Sequence, residues 1–232
     1  TSCTDAKTVA EKLATFENNS DGAVAFAKLA GKFLTTATGS ATATSSATGK
    51  ITVPAAGYYL LKDVTDVTTP HDALSLNILK VVQDVEVNPK ADHPSVDKKI
   101  GTDISTGAAA NTATIGDKVP FVIKSNVPKM QGYTKYFFVL NDSMTAGLTY
   151  NKDVAIKIGA TTLAADAYDV VYDDTANTMK IVIKNFIQYK SEAGKDIVVT
   201  YSATLNEKAD LTQAGNKNTV KLTYSNNPNV DY

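Results

Sequence analysis

Apolar positions recur every three to four residues at the start of the chain and every second residue from about residue 95 onward. Val9, Leu13 and Phe16 follow Thr8-x-x-Glu11, which has the form of a capping box, and the spacing predicts a helix over residues 5–17. Ser20 then stands as N-cap before Ala23, Phe26, Ala27, Ala30, Phe33 and Leu34, an apolar stripe at helical period. Residues 35–49, TTATGSATATSSATG, carry no periodicity and read as a surface loop of small residues. Three strands follow over 50–53, 57–62 and 73–87, bounded by Pro54, Pro70 and Pro89. Beyond them the alternation is regular, with strands expected over 118–127, 135–141, 154–158, 168–172, 178–184, 196–205 and 218–224. Ile197, Val199, Tyr201, Ala203 and Leu205 share one parity, and that face should meet an opposing sheet.

Two helices and three strands do not close a sandwich, so residues 1–90 are expected to form a partial α+β domain. The segment 88–94, with Pro89 and Pro94, reads as a short stiff linker. Residues 95–232 are expected to form an antiparallel, immunoglobulin-like β-sandwich without a helix of consequence. A length of 232 residues with 43% hydrophobic side chains is enough for two such cores.

Charge narrows the function. The 23 basic and 24 acidic residues are evenly mixed to a net charge of -1, so the chain has no positive field for nucleic acid or an anionic membrane. Cys3 is alone and cannot close a disulfide within the chain, which leaves stability to come from elsewhere. No apolar run reaches the ~18 residues that span a bilayer. His71 and His93 each lie beside a proline in predicted loops, which speaks against a catalytic triad or a zinc site. Asp173-Asp174 reads as a solvated turn, and no phosphate-binding glycine loop is present, so no metal or nucleotide is expected.

Three polar residues fall where core residues belong. Alternation places Lys98 on the face of Val96 and Ile100, Asp142 on the face of Phe138 and Leu140, and Asn226 on the face of Val220, Leu222 and Tyr224. Their neighbours Lys99 and Asn227 turn the other way. Alternation alone equally describes polar residues at solvated strand ends.

The second half resembles the isopeptide-forming domain of Gram-positive backbone pilins. The resemblance rests on Val96-Asp97-Lys98, IGDKVPF at 115–121, NDSMTAGLTY at 141–150, TYSATLN at 200–206 and YSNNP at 224–228, in family order. Upstream, VEVNPK at 85–90 is similar to the pilin motif, with Asn88 where an aromatic is common, and GYYL at 57–60 is similar to the amino-terminal pilin domain. The resemblance implies a CnaA-type sandwich and an autocatalytic isopeptide bond between Lys98 and Asn226, with Asp142 as proton shuttle. Lys99 and Asn227 stay open as alternatives to the two linked residues. It further implies that Lys90 is the acceptor through which a class C sortase joins subunits. The partners would be other pilin subunits and host surface receptors, and the location a cell-wall-attached pilus outside the cell. No cofactor and no enzymatic turnover are implied. An alternative is a cell-wall-anchored adhesin of similar domains that binds host matrix or glycans. A carbohydrate-binding accessory domain would want an exposed aromatic platform, and the chain has no Trp.

Overall fold

A computed structural model describes residues 5–17, 20–32, 55–62, 76–81 and 93–227. Cys3, His71, Lys90, the loop at 35–49 and the strand expected at 50–53 lie outside the described residues, as does most of the stretch 73–87. The chain divides into two compact units, one within residues 1–91 and one within 92–226.

In the first unit, helix α1 (Ala6–Leu13) begins at Asp5, whose carboxylate accepts the backbone N–H of Thr8 at 2.8 Å. The cap is therefore Asp5, and the Thr8-x-x-Glu11 pair lies inside the helix. Helix α2 (Asp21–Lys32) starts after Ser20, which accepts from the N–H of Ala23. Leu13, Ala23 and Ala27 are buried together, and Val9, Phe16, Phe26, Tyr58 and Leu60 pack around them. A methyl group on Gly22 would come within 2.5 Å of the Phe16 ring, so this glycine lets the ring lie on the helix backbone. Strands β1 (Gly57–Lys62) and β2 (Leu76–Val81) pair antiparallel, Gly57 opposite Val81.

The second unit is a two-sheet antiparallel sandwich. Its strands are β3 (Val96–Ile100), β4 (Lys118–Asn126), β5 (Phe138–Met144), β6 (Leu148–Tyr150), β7 (Ala155–Ile158), β8 (Thr161–Thr162), β9 (Tyr168–Asp173), β10 (Thr178–Ile183), β11 (Asp196–Leu205) and β12 (Asn218–Tyr224). One sheet runs β12-β5-β10-β9, and the other runs β3-β4-β11-β7-β8 with β6 also on β11. Two short 3-10 turns, Ala165–Ala167 and Phe186–Glu192, interrupt the strands. The mainly β, antiparallel architecture expected from sequence is the one observed.

Period two decides what is buried. Ile197, Val199, Tyr201, Ala203 and Leu205 of β11 are all buried, as are Val119, Phe121 and Ile123 of β4 beside them. Phe138, Leu140 and Met144 of β5 and Met179, Ile181 and Ile183 of β10 face them from the other sheet. Strand β5 starts at Phe138 and not at 135, and it runs on to Met144, because β10 and β12 pair with it on both edges as far as Ser143. Asp142 is thus inside a central strand and not at its end.

Phe186 closes one end of this core, fully buried and stacked on Phe138 with ring centroids 4.6 Å apart. Phe186→Ala should cost about 3–5 kcal/mol of stability through the cavity left behind. Equilibrium urea unfolding should show a lower midpoint with an unchanged slope.

Candidate functional site

Lys98 occupies the middle of β3, at the edge of the larger sheet, opposite Ile123 of β4. Alternation turns its side chain inward, where 8% remains exposed. The Nζ donates to Oδ2 of Asp142 at 2.5 Å and to Oδ1 of Asn218. Asp142 and Asn218 both belong to the smaller sheet, Asp142 in its interior strand and Asn218 at the start of edge strand β12. The contact therefore crosses from one sheet to the other.

Aromatic rings wall the amine. Nζ lies 5.3 Å from the ring centroids of both Phe121 and Tyr201, which stack on each other at 5.4 Å. Such rings attract a cation by about 0.5–2 kcal/mol, but they also exclude the water that would solvate it. Desolvation is the larger effect and lowers the Lys98 amine to about 8, against the opposing pull of Asp142. Burial likewise raises the Asp142 carboxyl above its ordinary value, although Lys98 and the Tyr201 hydroxyl act in the other direction. Both shifts favour the uncharged pair, amine and acid.

The hydrogen bonding of Asp142 agrees with a neutral acid. Its side chain is fully buried; Oδ2 accepts from Lys98 and from the Tyr201 hydroxyl at 2.9 Å, and Oδ1 has no partner among the described residues. A bare oxygen on a buried carboxylate is costly, and a proton on the group reduces that cost. Tyr201 completes the circuit by accepting from Nδ2 of Asn218 at 2.7 Å. Burial pushes the Tyr201 hydroxyl strongly upward, so it keeps its proton. The arrangement holds an amine whose charged form is disfavoured by burial, a carboxamide and a carboxyl group in one largely apolar space.

Of the residues singled out in the sequence, Lys98 and Asp142 meet here and Asn226 does not. In the β5–β12 register Val220 faces Asp142 and Tyr224 faces Phe138, so β12 runs away from the site. The six steps from Asn218 to Tyr224 already span about 20 Å, and Asn226 and Asn227 lie beyond. That is outside the reach of a lysine side chain. Asn218 has the same parity as Asn226, and the same count that turned one inward turned the other. Lys99 points to the opposite face of β3. Tyr201 was legible only as a core residue, since nothing in its spacing distinguished it from Val199 or Ala203. No cluster of three or more His, Cys, Asp or Glu side chains that could hold a metal ion occurs among the described residues.

Residues 115–228 match the family model described as Gram-positive pilin backbone subunit 2, Cna-B-like domain. This segment includes Asp142, Tyr201 and Asn218 but begins after Lys98. No curated protein matches the sequence. Among solved structures, the chain is similar to BcpA, the major pilin subunit of Bacillus cereus, at 16% identity and a TM-score of 0.52, over 75% of this chain and 51% of that one. It is similar to the major pilin SpaD of Corynebacterium diphtheriae at 19% identity and a TM-score of 0.51, over 76% and 44%. The full-length RrgB pilus protein of Streptococcus pneumoniae gives 22% identity and a TM-score of 0.50, over 74% and 29%. The chain thus spans about a third to a half of the length of these pilins, and at such identities the likeness is one of fold. The subtype named by the family model is Cna-B-like, where the expectation from sequence was the CnaA type. By its matched segment and its fold, the second unit is similar to the Cna-B-like domain of Gram-positive pilin backbone subunits.

Proposed function

We propose that the chain is part of a structural subunit of an extracellular Gram-positive pilus shaft, and that its second unit is locked by an autocatalytic isopeptide bond between Lys98 and Asn218. The observation that carries the crosslink is the Lys98 amine held between the Asp142 carboxyl and the Asn218 carboxamide in an apolar interior. The family match over 115–228 and the pilin neighbours support the pilus assignment. Asn218 takes the role that sequence resemblance had given to Asn226.

The chemistry needs nothing from outside. A neutral Lys98 amine attacks Cγ of Asn218, the Nζ–Cγ bond forms, the Cγ–Nδ2 bond breaks, and ammonia leaves with a proton that came from the amine. Asp142, whose burial favours its protonated form, carries that proton and is restored at the end. Proximity inside a folded core can replace several orders of magnitude of rate, which suits a reaction that occurs once per chain. The bond would join the edge strand of one sheet to the edge strand of the other and close a loop across a separation of 120 residues. By analogy with disulfides, such a loop stabilises by about 5 kcal/mol. Tension entering at β3 would cross directly to β12, and the sheets between would not unzip.

Assembly is proposed through Lys90, which would accept the carboxyl end of another subunit in a reaction catalysed by a class C sortase. In a sortase reaction on the intact subunit, Lys90→Ala should abolish covalent oligomers, and a ladder that persists would reject this lysine.

Intact mass under denaturing conditions checks the bond. The native chain should be lighter than its calculated mass by one ammonia, and so should Asn226→Ala. Lys98→Ala and Asn218→Ala should both have their full calculated mass. Loss of ammonia that survives in Asn218→Ala and disappears in Asn226→Ala would return the bond to Asn226.

The titration of the site has a sign that can be tested where the amine stays free, in Asn218→Ala. The Lys98 amine is lowered from 10.5 to about 8 in the folded chain, so between those values the unfolded chain binds the extra proton and stability rises with pH. Asp142, raised from 3.8, acts in the opposite sense at lower pH, where stability falls as the unfolded chain loses its proton. Near pH ~10 tyrosines such as Tyr150, raised from 10.0 to about 12, also begin to lower stability as the unfolded chain ionises. The urea midpoint of Asn218→Ala should therefore climb from pH ~8 to pH ~9.5, and adding Lys98→Met should remove the climb.

A further inference from the structure

Among the described residues, Tyr201 is the one hydroxyl that touches both the acid and the leaving nitrogen. Its Oη donates to Oδ2 of Asp142 at 2.9 Å and accepts from Nδ2 of Asn218 at 2.7 Å. On its other side Asn218 presents Oδ1 to the Lys98 amine, so four side chains form a closed hydrogen-bonded circuit. The bonds of Asp142 go to Lys98 and Tyr201, and its path to the amide nitrogen passes through the phenol. Tyr201 is 3% exposed, and its ring is fixed by stacking on Phe121 and by an edge contact with Tyr150 at 6.1 Å. A hydroxyl so buried has these two groups as its hydrogen-bond partners.

We propose that Tyr201 relays the proton of Asp142 to the departing Asn218 nitrogen, an inference that rests on the isopeptide reading above. While Nδ2 is part of an amide it is a donor, and the phenol oxygen accepts from it. Attack of the Lys98 amine forms the Nζ–Cγ bond, moves the carbonyl electron pair onto Oδ1 and ends the conjugation of Nδ2. That nitrogen now has a free lone pair, and the hydroxyl turns to donate. The Tyr201 proton passes to Nδ2 as the Asp142 proton passes to the Tyr201 oxygen. The pair on Oδ1 re-forms the carbonyl as the Cγ–Nδ2 bond breaks with its electron pair on nitrogen, and ammonia departs. The surplus proton on Nζ returns to Oδ2 of Asp142. Acid and phenol end as they began, and one water-free circuit accounts for every proton.

The same contact orients the amide. With Nδ2 held by the phenol, Oδ1 must face the amine, so the carbonyl is presented and the leaving group points away from the nucleophile. Removal of the hydroxyl frees the amide to rotate and leaves Asp142 with no carrier to the nitrogen.

The test follows ammonia loss in full-length chains synthesised in a short pulse, quenched in denaturant at intervals and weighed intact. Tyr201→Phe should slow the loss by about a hundredfold or more, the usual worth of a positioned acid. The same substitution in a Lys98→Ala background, where no bond can form, reports whether the fold tolerates it, through an unchanged urea midpoint. Fluorotyrosines placed at position 201 alter the acidity of the phenol while nearly keeping its shape, and the rate should follow that acidity. A rate in Tyr201→Phe equal to that of the native chain overturns the relay and leaves the crosslink standing. So does a slow Tyr201→Phe whose rate is indifferent to the fluorotyrosine series, since that marks packing alone. A native chain at full calculated mass overturns the crosslink itself, and the relay with it.

Discussion

Two sheets packed face to face leave no room for water between them, so every side chain of inward parity has to be apolar or find a partner inside. Lys98, Asp142, Tyr201 and Asn218 all carry inward parity, and they answer this constraint together. None could be there alone. An isolated ammonium or carboxylate at this depth would cost several kcal/mol, whereas a neutral amine beside a neutral acid avoids most of that penalty. The site is still an uneasy one, with a buried oxygen of Asp142 that has no partner among the described residues. Conversion of an amine and a carboxamide into one secondary amide takes an ionisable group out of the interior altogether. The burial that makes the free side chains costly is the same burial that would favour the proposed reaction.

Placement on the sheet edges would give the proposed crosslink its effect. β3 and β12 are edge strands of different sheets, and no strand pairing joins one to the other. Without a bond between them each is held in its sheet by a single neighbour, β4 in one case and β5 in the other. Asp142 can serve both because it sits on β5, an interior strand paired on both sides, which fixes it more firmly than either partner. Phe121 and Tyr201, on adjacent interior strands, form the matching rigid wall from the larger sheet.

Much of this was legible in the sequence, and what was not has a common physical origin. Period two shows which face a residue takes, and so Lys98, Asp142 and the buried run of β11 could be read directly. It does not show how far along the sheet a residue lies. Asn218 and Asn226 are eight residues apart with equal parity, and only the pairing of Val220 with Asp142 tells them apart. Register is a long-range property set by partners elsewhere in the chain. The end of β5 was misplaced for the same reason, since Asp142 and Ser143 look like a polar terminus until β10 and β12 are seen to continue beside them. β6 and β8, with three and two residues, are too short for any alternation to register. Asp5 displaced Thr8 as helix cap because either residue can accept a backbone N–H, and local sequence offers both.

The loop that the proposed bond between Lys98 and Asn218 would close has one more consequence. Nearly every turn of the second unit, from the segment after β3 to the long connection before β12, lies between these two residues. With the bond in place, a protease that cuts one of these turns severs the backbone but not the molecule, because the two pieces remain covalently joined through the side chains. A filament built from such units would keep its continuity through any single cut of that kind, and the exposed turns would be free to diverge in sequence without putting the length of the fibre at risk.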